Sequence, residues 1–424
     1  MSKQITRRKV LAGGAGALAL SAVGIRGASA QANRTPIKIG VMLPLTGLAA
    51  ASSIDVKMGI EIAAAHINAE GGVDGRPIEL LMRDDKANPN DAVGAVRDLL
   101  GEGVKFLLGG SFTATTLAIL PAQKEAGALF VGMTASTMRL GHQDFNKMAF
   151  HFFPNPYMSM RSEAKVIAQK YPNVTKWVSV GPDVEYGHIG WSAFAGGLKE
   201  FYPKYNNKQV KLLEPVWTKF GSNDFKAAVS AVMFSEAEGI YTTLTGADLA
   251  TFLTQGKAQG LYDKIKVYGD IFNDVQTGKT MGRNNPSNYW TGTTWYPEAP
   301  SASALSKRTY ADYKAKLPNQ EPLGLLNCGY GSLKGIVAGM RTAKSVDPVV
   351  VAAAMENLKF ETPGGINYFR KEDHQNVLPL GVVRMGPTDP GKAPVVEYVS
   401  VDTAEAIEPP SPGKEFPFAV PAVG

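Results

Sequence analysis

The chain alternates short apolar runs with longer stretches in which apolar residues recur every three to four positions. The first run covers residues 37–43, and the helical spacing that follows includes Ile60 and Ile67 before Gly71 ends it. A second apolar run begins at Ile78. Short apolar runs are typical of buried parallel strands, and the longer spacing is typical of amphipathic helices. This region therefore predicts a β-α-β unit with a right-handed crossover.

The same alternation continues through most of the chain. Helix-period stretches separate further strand-like runs at residues 106–108, 129–132, 177–180, 211–216, 240–244 and 266–268. A regular succession of strands and helices predicts an open, largely parallel α/β sheet. The length of 424 residues suits two such domains better than one.

The N-terminal segment has the pattern of an export signal. Arg7-Arg8 precedes an uncharged stretch at residues 10–25, which is short for a membrane span of about 20 residues. Ala28-Ser29-Ala30 has the small-x-small pattern of a cleavage site. We expect residues 1–30 to be a twin-arginine-type signal peptide cleaved after Ala30, giving a periplasmic protein. The general export route also tolerates paired arginines, and an uncleaved anchor helix is the alternative.

Net charge and cysteine usage narrow the class of protein. Removing the five basic residues of the signal lowers the net charge from +6 to +1. No run of lysine or arginine remains, so the sequence predicts no nucleic-acid partner. Cys328 is the only cysteine, which excludes an intrachain disulfide.

No catalytic pattern is found in the sequence. The five histidines are scattered singly, without a metal-binding spacing. There is no G-x-S-x-G elbow, no phosphate-binding G-x-x-x-x-G-K and no G-x-G-x-x-G after the first strand. We therefore expect no catalytic residues, no metal, no cofactor and no enzymatic activity. A ligand-sensing regulator of the same architecture is the alternative class, but an export signal does not fit a cytoplasmic sensor.

Several stretches carry a resemblance to a known family. They are IKIG from Ile37, PLTG from Pro44, the helix ending HINAEGGVDGRPIEL, Asp84-Asp85 and Asn88-Pro89. The chain resembles the type I periplasmic binding proteins of the branched-chain amino-acid class, the leucine-binding-protein-like receptors. The resemblance implies two doubly wound, mainly parallel α/β lobes joined by a three-strand hinge. It also implies a monomer that closes on a small solute and delivers it to the membrane permease of an ABC importer.

The resemblance also implies where the chain passes between the lobes. Crossings are expected near Phe153-Pro154, at Asp270–Asp274 and at Thr362–Gly365. We therefore predict a first lobe from residues 36–153 and 275–361, and a second lobe from residues 154–274 and 362–405. The proline-rich tail, residues 406–424, should wrap the surface or stay mobile.

The loop from Gly109 to Thr116 is the strongest candidate for binding in the first lobe. It follows a strand and begins a helix, where free N–H groups and hydroxyls suit an anion. An ordinary helix cap with no ligand is the alternative. By resemblance, Thr113 binds the carboxylate of the solute. In the loop after the next strand, Thr134 and Ser136 match positions that hold amino and carboxylate groups.

Two residues of the second lobe complete the predicted site. Tyr186 lies in the stretch GPDVEYGHIGW and matches a tyrosine that closes over the ligand. Asp270 ends a strand and lies near the carboxylate that pairs with the ligand ammonium in relatives. In many of them that carboxylate lies one residue further along, where this chain has Ile271. This departure leaves the ammonium contact open.

The identity of the solute is open at this stage. An apolar, branched-chain-like amino acid is the first choice, because the two hydroxyl loops, Tyr186 and Asp270 together resemble that site. An aromatic or other small carboxylate is the rival, because tyrosines of some relatives are replaced around Ser52 and Thr245. Phe112, Phe272 and Trp295 would then supply apolar walls. Urea or a short amide is the third choice.

Overall fold

A computed structural model describes residues 35–47, 50–389 and 394–416 of the chain. The signal peptide predicted over residues 1–30 lies outside the described residues. Three of the helices described below begin with the same local device, an Asn or Asp cap followed by proline. The pairs are Asn88-Pro89, Asn155-Pro156 and Asp347-Pro348, and each cap side chain accepts backbone N–H groups of the first turn.

The first part of the chain builds a five-stranded parallel sheet in the order β2-β1-β3-β4-β5. We call the unit around this sheet lobe 1. Its first elements are β1 (Ile37–Leu43), α1 (Ala50–Ala69), β2 (Ile78–Asp84), α2 (Pro89–Gly101), β3 (Phe106–Gly109), α3 (Thr113–Glu125), β4 (Leu129–Gly132) and β5 (Ala149–His151). The predicted β-α-β unit is confirmed as β1-α1-β2.

The chain then builds most of a second sheet, and we call the unit around it lobe 2. Its elements are α4 (Pro156–Lys170), β6 (Lys176–Pro182), α5 (Glu185–Asn206), β7 (Lys211–Leu212), β8 (Val216–Thr218), α6 (Lys226–Phe234), β9 (Gly239–Thr242), α7 (Gly246–Ala258), α8 (Leu261–Lys264), β10 (Val267–Asp270), α9 (Gln276–Met281) and β11 (Tyr289–Thr293). The strand predicted over residues 211–216 is two short strands, and both pair with β6.

The chain returns to lobe 1 after β11. The returning elements are α10 (Ala304–Lys316), α11 (Leu325–Ala343), α12 (Pro348–Met355), β12 (Phe360–Thr362), β13 (Gly365–Phe369) and β14 (Asn376–Val377). Helix α11 packs closely along α1, because a Cβ at Gly59 would lie 2.0 Å from the carbonyl oxygen of Leu326. Phe360 and Phe369 join the same buried cluster as Ile39 and Val41 of β1.

Two final strands complete lobe 2. β15 (Pro379–Met385) pairs antiparallel with β11, and β16 (Val395–Asp402) pairs antiparallel with β15. The sheet order is β16-β15-β11-β10-β9-β6-β7, with β8 beside β6. The result is the predicted mixed α/β fold with two doubly wound, mainly parallel sheets.

Two of the predicted lobe boundaries need correction. The prediction assigned residues 275–293 to lobe 1, but β11 pairs with β10 and β15 within the second sheet. The chain leaves lobe 2 only after Thr293. The prediction also began the last lobe 2 segment at residue 362, whereas β13 and β14 pack with lobe 1 and the chain crosses between Val377 and Pro379. Long-range strand pairing, rather than the local Pro-Gly-Gly break, decides both boundaries.

The described part of the predicted tail, residues 406–416, packs back onto lobe 1. Glu408 is buried, its side chain accepts a hydrogen bond from Asn155 at 2.7 Å, and its carbonyl accepts one from Arg370 at 2.8 Å. The N–H of Gly413 donates to the carbonyl of His142 at 2.7 Å. This segment therefore connects the end of lobe 2 to lobe 1 beside the hinge.

Candidate functional site

The predicted binding loops of lobe 1 are neighbours at one edge of the sheet. Strands β3 and β4 are parallel and end opposite each other at Gly109 and Gly132, so their following loops lie side by side. The carbonyl of Gly110 accepts the N–H of Ala135 at 3.0 Å and that of Thr134 at 3.4 Å. These bonds hold the loop before α3 against the loop that carries Thr134 and Ser136.

Glycine is needed at position 110 for two reasons. Its φ of +76° lies in the left-handed region, and a Cβ there would lie 2.4 Å from the hydroxyl oxygen of Thr116. On the other side of the site, Nε2 of buried His151 lies 2.6 Å from the carbonyl oxygen of Ala135. The loop after β3 is therefore fixed at Gly110 by its close packing on Thr116. The loop after β4 is fixed at Ala135 by its contact with buried His151.

Donors that lack partners are concentrated at the start of α3. The hydroxyls of Thr115 and Thr116 donate to the carbonyl of Phe112 at 2.9 and 2.8 Å. Phe112, the residue before the helix, provides no side-chain cap. Within the described residues the hydroxyl of half-buried Thr113 has no hydrogen-bond partner, and the buried hydroxyl of Ser111 has none either. Hydroxyls and first-turn N–H groups at a helix N-terminus favour a bound anion.

The corresponding edge of lobe 2 carries Tyr186. Strands β6 and β9 are parallel neighbours, and Tyr186 follows β6 near the start of α5. Its hydroxyl lies near the side chain of Thr245, which lies in the loop after β9. Burial raises the pKa of Tyr186, and the nearby Thr245 side chain offsets this only in part. The hydroxyl of Thr243 in the same loop is buried without a partner in the described structure.

The structure places Asp270 away from the cleft surface. Its side chain is fully buried. Oδ1 accepts bonds from the Thr291 hydroxyl at 2.7 Å and the Asn273 N–H at 3.1 Å, and Oδ2 accepts one from the Tyr289 hydroxyl at 2.7 Å. Strand β11 supplies two of these donors because it runs beside β10. The predicted ammonium contact of Asp270 is therefore not part of this geometry, and its polar partners all belong to lobe 2.

A second buried carboxyl group, that of Glu163, contacts the backbone of Asp270. Glu163 on α4 is fully buried, and its Oε1 accepts the N–H of Asp270 at 3.2 Å. Burial raises the pKa of Glu163 well above its ordinary value, and the charge of Asp270 raises it further. Burial likewise raises the pKa of Asp270. Burial and the neighbouring charge of Asp270 therefore favour the protonated form of Glu163 in the lobe interior.

The loop after β10 is backbone-strained and touches lobe 1. Phe272 and Asp274 have φ angles of +69° and +58°, which non-glycine residues rarely adopt. Oδ2 of Asp274 accepts the N–H of Gly324 at 2.7 Å, at the start of α11. Burial raises the pKa of Asp274 to about 6. The loop therefore ties the end of β10 to the helix start of the opposite lobe.

Two of the three predicted apolar walls lie close to the cleft. Phe112 is 42% exposed beside Thr113. The ring of Phe272 lies over Gly292, where a Cβ would be 1.4 Å from it, and lines a hinge pocket of about 80 Å³ with Phe153. Trp295 is different, because it is buried in the core of lobe 1 and donates its indole N–H to Ser306 at 2.8 Å.

In the described ranges no three His, Cys, Asp or Glu side chains are grouped so that they hold a metal ion. Cys328 is buried, which raises its pKa to about 12. Among these residues no helix combines the length and apolar character of a membrane span.

Comparison with known families identifies the class of this chain. The sequence profile described as periplasmic binding protein matches residues 36–390, which includes the first sheet, all strands of the second sheet except β16, and the paired loops. The chain belongs to the periplasmic binding protein family. The expected family is thereby confirmed.

Relatives of this periplasmic binding protein span nearly its whole length. The leucine-, isoleucine-, valine-, threonine- and alanine-binding protein of Pseudomonas aeruginosa is 26% identical over 343 residues, covering 80% of this chain and 87% of that protein. A closed structure of the protein so named from Brucella ovis has a TM-score of 0.78 at 20% identity, covering 89% and 97%. A solute-binding protein of Rhodopseudomonas palustris BisB5 in complex with 3,4-dihydroxybenzoic acid has a TM-score of 0.71 at 19% identity, covering 88% and 98%.

Several residues of this binding protein's cleft were not predicted from the sequence. Ser111 lies in the predicted loop, and a serine just before a helix start is a recognisable signal for it. Thr243 and Asp274 gave no such signal, because their burial depends on contacts with residues far along the chain.

Proposed function

We propose that this protein binds an apolar, branched-chain-like amino acid between its lobes and delivers it to the membrane permease of an ABC importer. The observation that carries the proposal is the pair of fixed loops in lobe 1, with Thr113, Thr134 and Ser136 on adjacent strand ends. Their hydroxyls and the N–H groups of α3 suit a carboxylate. The named ligands of the Pseudomonas aeruginosa and Brucella ovis relatives are amino acids, which supports this class of solute.

Lobe closure is the proposed mechanism of capture. The solute carboxylate first contacts the loops of lobe 1, which need little rearrangement because Gly110 and His151 already fix them. Tyr186 then approaches from lobe 2 and covers the solute. Only contacts that form when both lobes touch the solute can favour the closed state over the open state. We propose that the chain acts as a periplasmic monomer without cofactor or catalytic activity.

An aromatic or other small carboxylate is a second candidate solute. The complex of the Rhodopseudomonas palustris relative with 3,4-dihydroxybenzoic acid favours it, as does the exposed ring of Phe112 beside the carboxylate loop. The interior setting of Asp270 favours it as well, because an ammonium group loses its predicted partner there. Urea or a short amide remains the third candidate.

A thermal-shift screen of residues 31–424 with amino acids, benzoates and short amides tests the proposal. A solute at 100 times its Kd should stabilise the native protein by about 2.7 kcal/mol. We expect stabilisation by leucine, isoleucine or valine that is weakened in Thr113→Val. Stabilisation by benzoates alone would replace the amino acid with the second candidate. If no carboxylate stabilises the protein, the proposed carboxylate site is wrong.

A further inference from the structure

The C-terminal segment makes a fourth connection between the lobes. The chain crosses between them near Phe153, after Thr293 and at Leu378. Beyond β16, which belongs to lobe 2, residues 403–416 run back onto lobe 1, and we call them the C-terminal strap. Because the two ends of the strap are fixed to different lobes, a change in the angle between the lobes must bend it or detach it.

The first part of the C-terminal strap is fixed at the last of the three crossings. The hydroxyl of buried Thr403 donates to the carbonyl of Leu378 at 2.8 Å. The carbonyl of Thr403 accepts the N–H groups of Ala406 and Ile407, both at 2.9 Å. Ala406 is buried, and Ile407 packs against a buried cluster of Met158, Leu378 and Leu380. This part of the strap therefore moves with lobe 2 and the hinge.

Glu408 fixes the middle of the C-terminal strap at the first crossing. Its side chain is 1% exposed, and Oε1 accepts a hydrogen bond from Nδ2 of Asn155 at 2.7 Å. Asn155 caps α4 of lobe 2, because its Oδ1 accepts the N–H of Met158 at 2.9 Å. From lobe 1, Arg370 donates to the carbonyl of Glu408 at 2.8 Å and lies 3.7 Å from its Oε1. Glu408 thus has bonding partners from both lobes.

The end of the C-terminal strap is fixed to lobe 1 at His142, between β4 and β5. Nδ1 of His142 lies 2.7 Å from the hydroxyl oxygen of Ser411, and its carbonyl accepts the N–H of Gly413 at 2.7 Å. The ring of Phe416 lies 5.0 Å from the His142 ring, measured between centroids. Nε2 of His142 lies 3.4 Å from Oε1 of Glu408. The last two anchors of the strap are therefore next to each other.

Burial makes the middle anchor costly to break. The side chain of Asn155 is buried like that of Glu408, and Arg370 is held in place by Asp373, whose Oδ1 accepts its Nε at 2.8 Å. Leaving a buried donor without its acceptor costs more free energy than breaking an exposed hydrogen bond. The C-terminal strap should therefore stay attached when the lobes move, and its backbone should resist a change in the lobe angle.

We propose that the C-terminal strap restrains the angle between the lobes in the solute-free protein, with Glu408 as the positioning residue at the first crossing. The restraint goes beyond the proposed function, because it acts at the hinge and does not depend on which solute is bound. It narrows the range of lobe angles that the solute-free protein samples. A narrower range reduces the conformational entropy that is lost when the lobes capture a solute.

Double electron–electron resonance on solute-free residues 31–424 tests this proposal. Nitroxide labels at Lys105→Cys in lobe 1 and Gln209→Cys in lobe 2 report the distance between the lobes, because both positions are exposed. Labels at Gln209→Cys and Lys219→Cys report a distance within lobe 2. Cys328 is buried and should not react with the label. Wild type should give a single narrow distribution of distances between the lobes.

Four changes to the C-terminal strap are compared with wild type. Glu408→Ala should widen the distribution between the lobes about 1.5-fold or more, because both lobes lose their shared acceptor. Glu408→Gln keeps an acceptor for Asn155 and should widen it less. A chain that ends at Pro410 loses the His142 anchor and should also widen it. The described residues that this chain lacks are exposed or half-buried, so the core stays intact. Glu415→Ala removes an exposed acid of the same strap and should change nothing.

Each result decides the proposal. Widening between the lobes in Glu408→Ala, with no change within lobe 2, supports it. Widening of both distributions overturns it, because a general loosening of the fold would then be the cause. Equal widths in wild type and Glu408→Ala overturn the role of Glu408. If Glu408→Ala does not fold, the chain that ends at Pro410 decides in the same way. Because no solute is added, failure of the proposed carboxylate site would leave these results unchanged.

Discussion

Lobe 1 and lobe 2 differ in how many polar groups at their strand ends have hydrogen-bond partners within the lobe. In lobe 1 the loops after β3 and β4 are fixed through Gly110, yet the hydroxyls of Ser111 and Thr113 remain without partners in the described structure. In lobe 2 the acid at the end of β10, Asp270, is enclosed by Tyr289 and Thr291. The first edge keeps several donors available for a solute, whereas the second engages the carboxylate of Asp270 within the lobe and leaves only the Thr243 hydroxyl of the loop after β9 without a partner in the described structure.

This difference gives each lobe a role in capture. A rigid surface with free donors binds a carboxylate with little loss of entropy, so lobe 1 is suited to the first contact. Lobe 2 then contributes a ring, Tyr186, and the strained loop that carries Phe272 and Asp274. Loops with strained backbone occur where a structure must change or clamp. The predictions below test whether the two edges differ in this way.

The largest effect should come from Asp270→Ala. The change leaves the hydroxyls of Tyr289 and Thr291 and the N–H of Asn273 without an acceptor in the lobe interior. We expect the free energy of unfolding, measured in urea, to fall by about 4 kcal/mol, since each orphaned donor costs about 1–3 kcal/mol. Asp270→Asn keeps an acceptor oxygen and should cost less. A stable Asp270→Ala protein that has lost solute binding would place Asp270 in the cleft after all.

The raised pKa of Asp274 should make the free energy of unfolding depend on pH. Its pKa is about 6 in the folded protein against an ordinary value of 3.8, so the folded state binds the proton first as the pH falls. The contribution of this group to stability is therefore lowest above pH 6 and is gained as the pH falls toward about 4. The gain amounts to about 3 kcal/mol at most, at 1.36 kcal/mol per pKa unit.

Asp274→Asn should remove that gain while keeping an acceptor for Gly324. Unfolding free energies of wild type and Asp274→Asn, measured in urea at a series of pH values from 7 to 4, should diverge in favour of wild type as the pH falls. Parallel curves for the two proteins would show that Asp274 does not titrate with a raised pKa.

The sequence predicted the parts of the fold that depend on residues close together in the chain. It did not predict the parts that depend on pairing between distant residues. The β1-α1-β2 unit was predicted correctly because local spacing and the Gly71 stop both act within a few residues. The lobe boundaries at residues 274 and 362 were predicted incorrectly. β11 joins β10 across the intervening α9, and no local pattern distinguishes a strand of one sheet from a strand of the other.

The candidate site followed the same rule. The loops that carry Thr113, Thr134 and Ser136 were located correctly after β3 and β4 because strand ends are local patterns. The choice of these three residues rests on the family resemblance, and their role in binding stays a prediction. The setting of Asp270 was missed because its donors Tyr289 and Thr291 lie on another strand.

Thr113→Val should have a smaller effect than the changes in lobe 2, and on binding rather than stability. Loss of one hydroxyl donor to a carboxylate costs about 1.5–3 kcal/mol, or about one to two decades in Kd by calorimetry. Thr115→Val is the matched control, because the hydroxyl of Thr115 already donates to Phe112 and should not affect the Kd. Equal affinity of wild type and Thr113→Val would remove Thr113 from the site.

Tyr186→Phe should have the smallest effect. The hydroxyl of Tyr186 lies near Thr245 of its own lobe, so we expect the ring rather than the hydroxyl to cover the solute. The Kd should rise by about five-fold or less, which corresponds to about 1 kcal/mol. Tyr186→Ala, which removes the ring, should weaken binding further. If Tyr186→Phe and Tyr186→Ala weaken binding equally, the hydroxyl itself contacts the solute.

Small-angle X-ray scattering of residues 31–424, with and without the solute that the thermal-shift screen identifies, tests the central claim most directly. The account predicts that the radius of gyration falls at saturating solute, because the edges of lobe 1 and lobe 2 close on it. Thr113→Val should show the same compaction only at higher solute concentration. A radius of gyration that stays unchanged while calorimetry shows saturation would contradict capture by lobe closure.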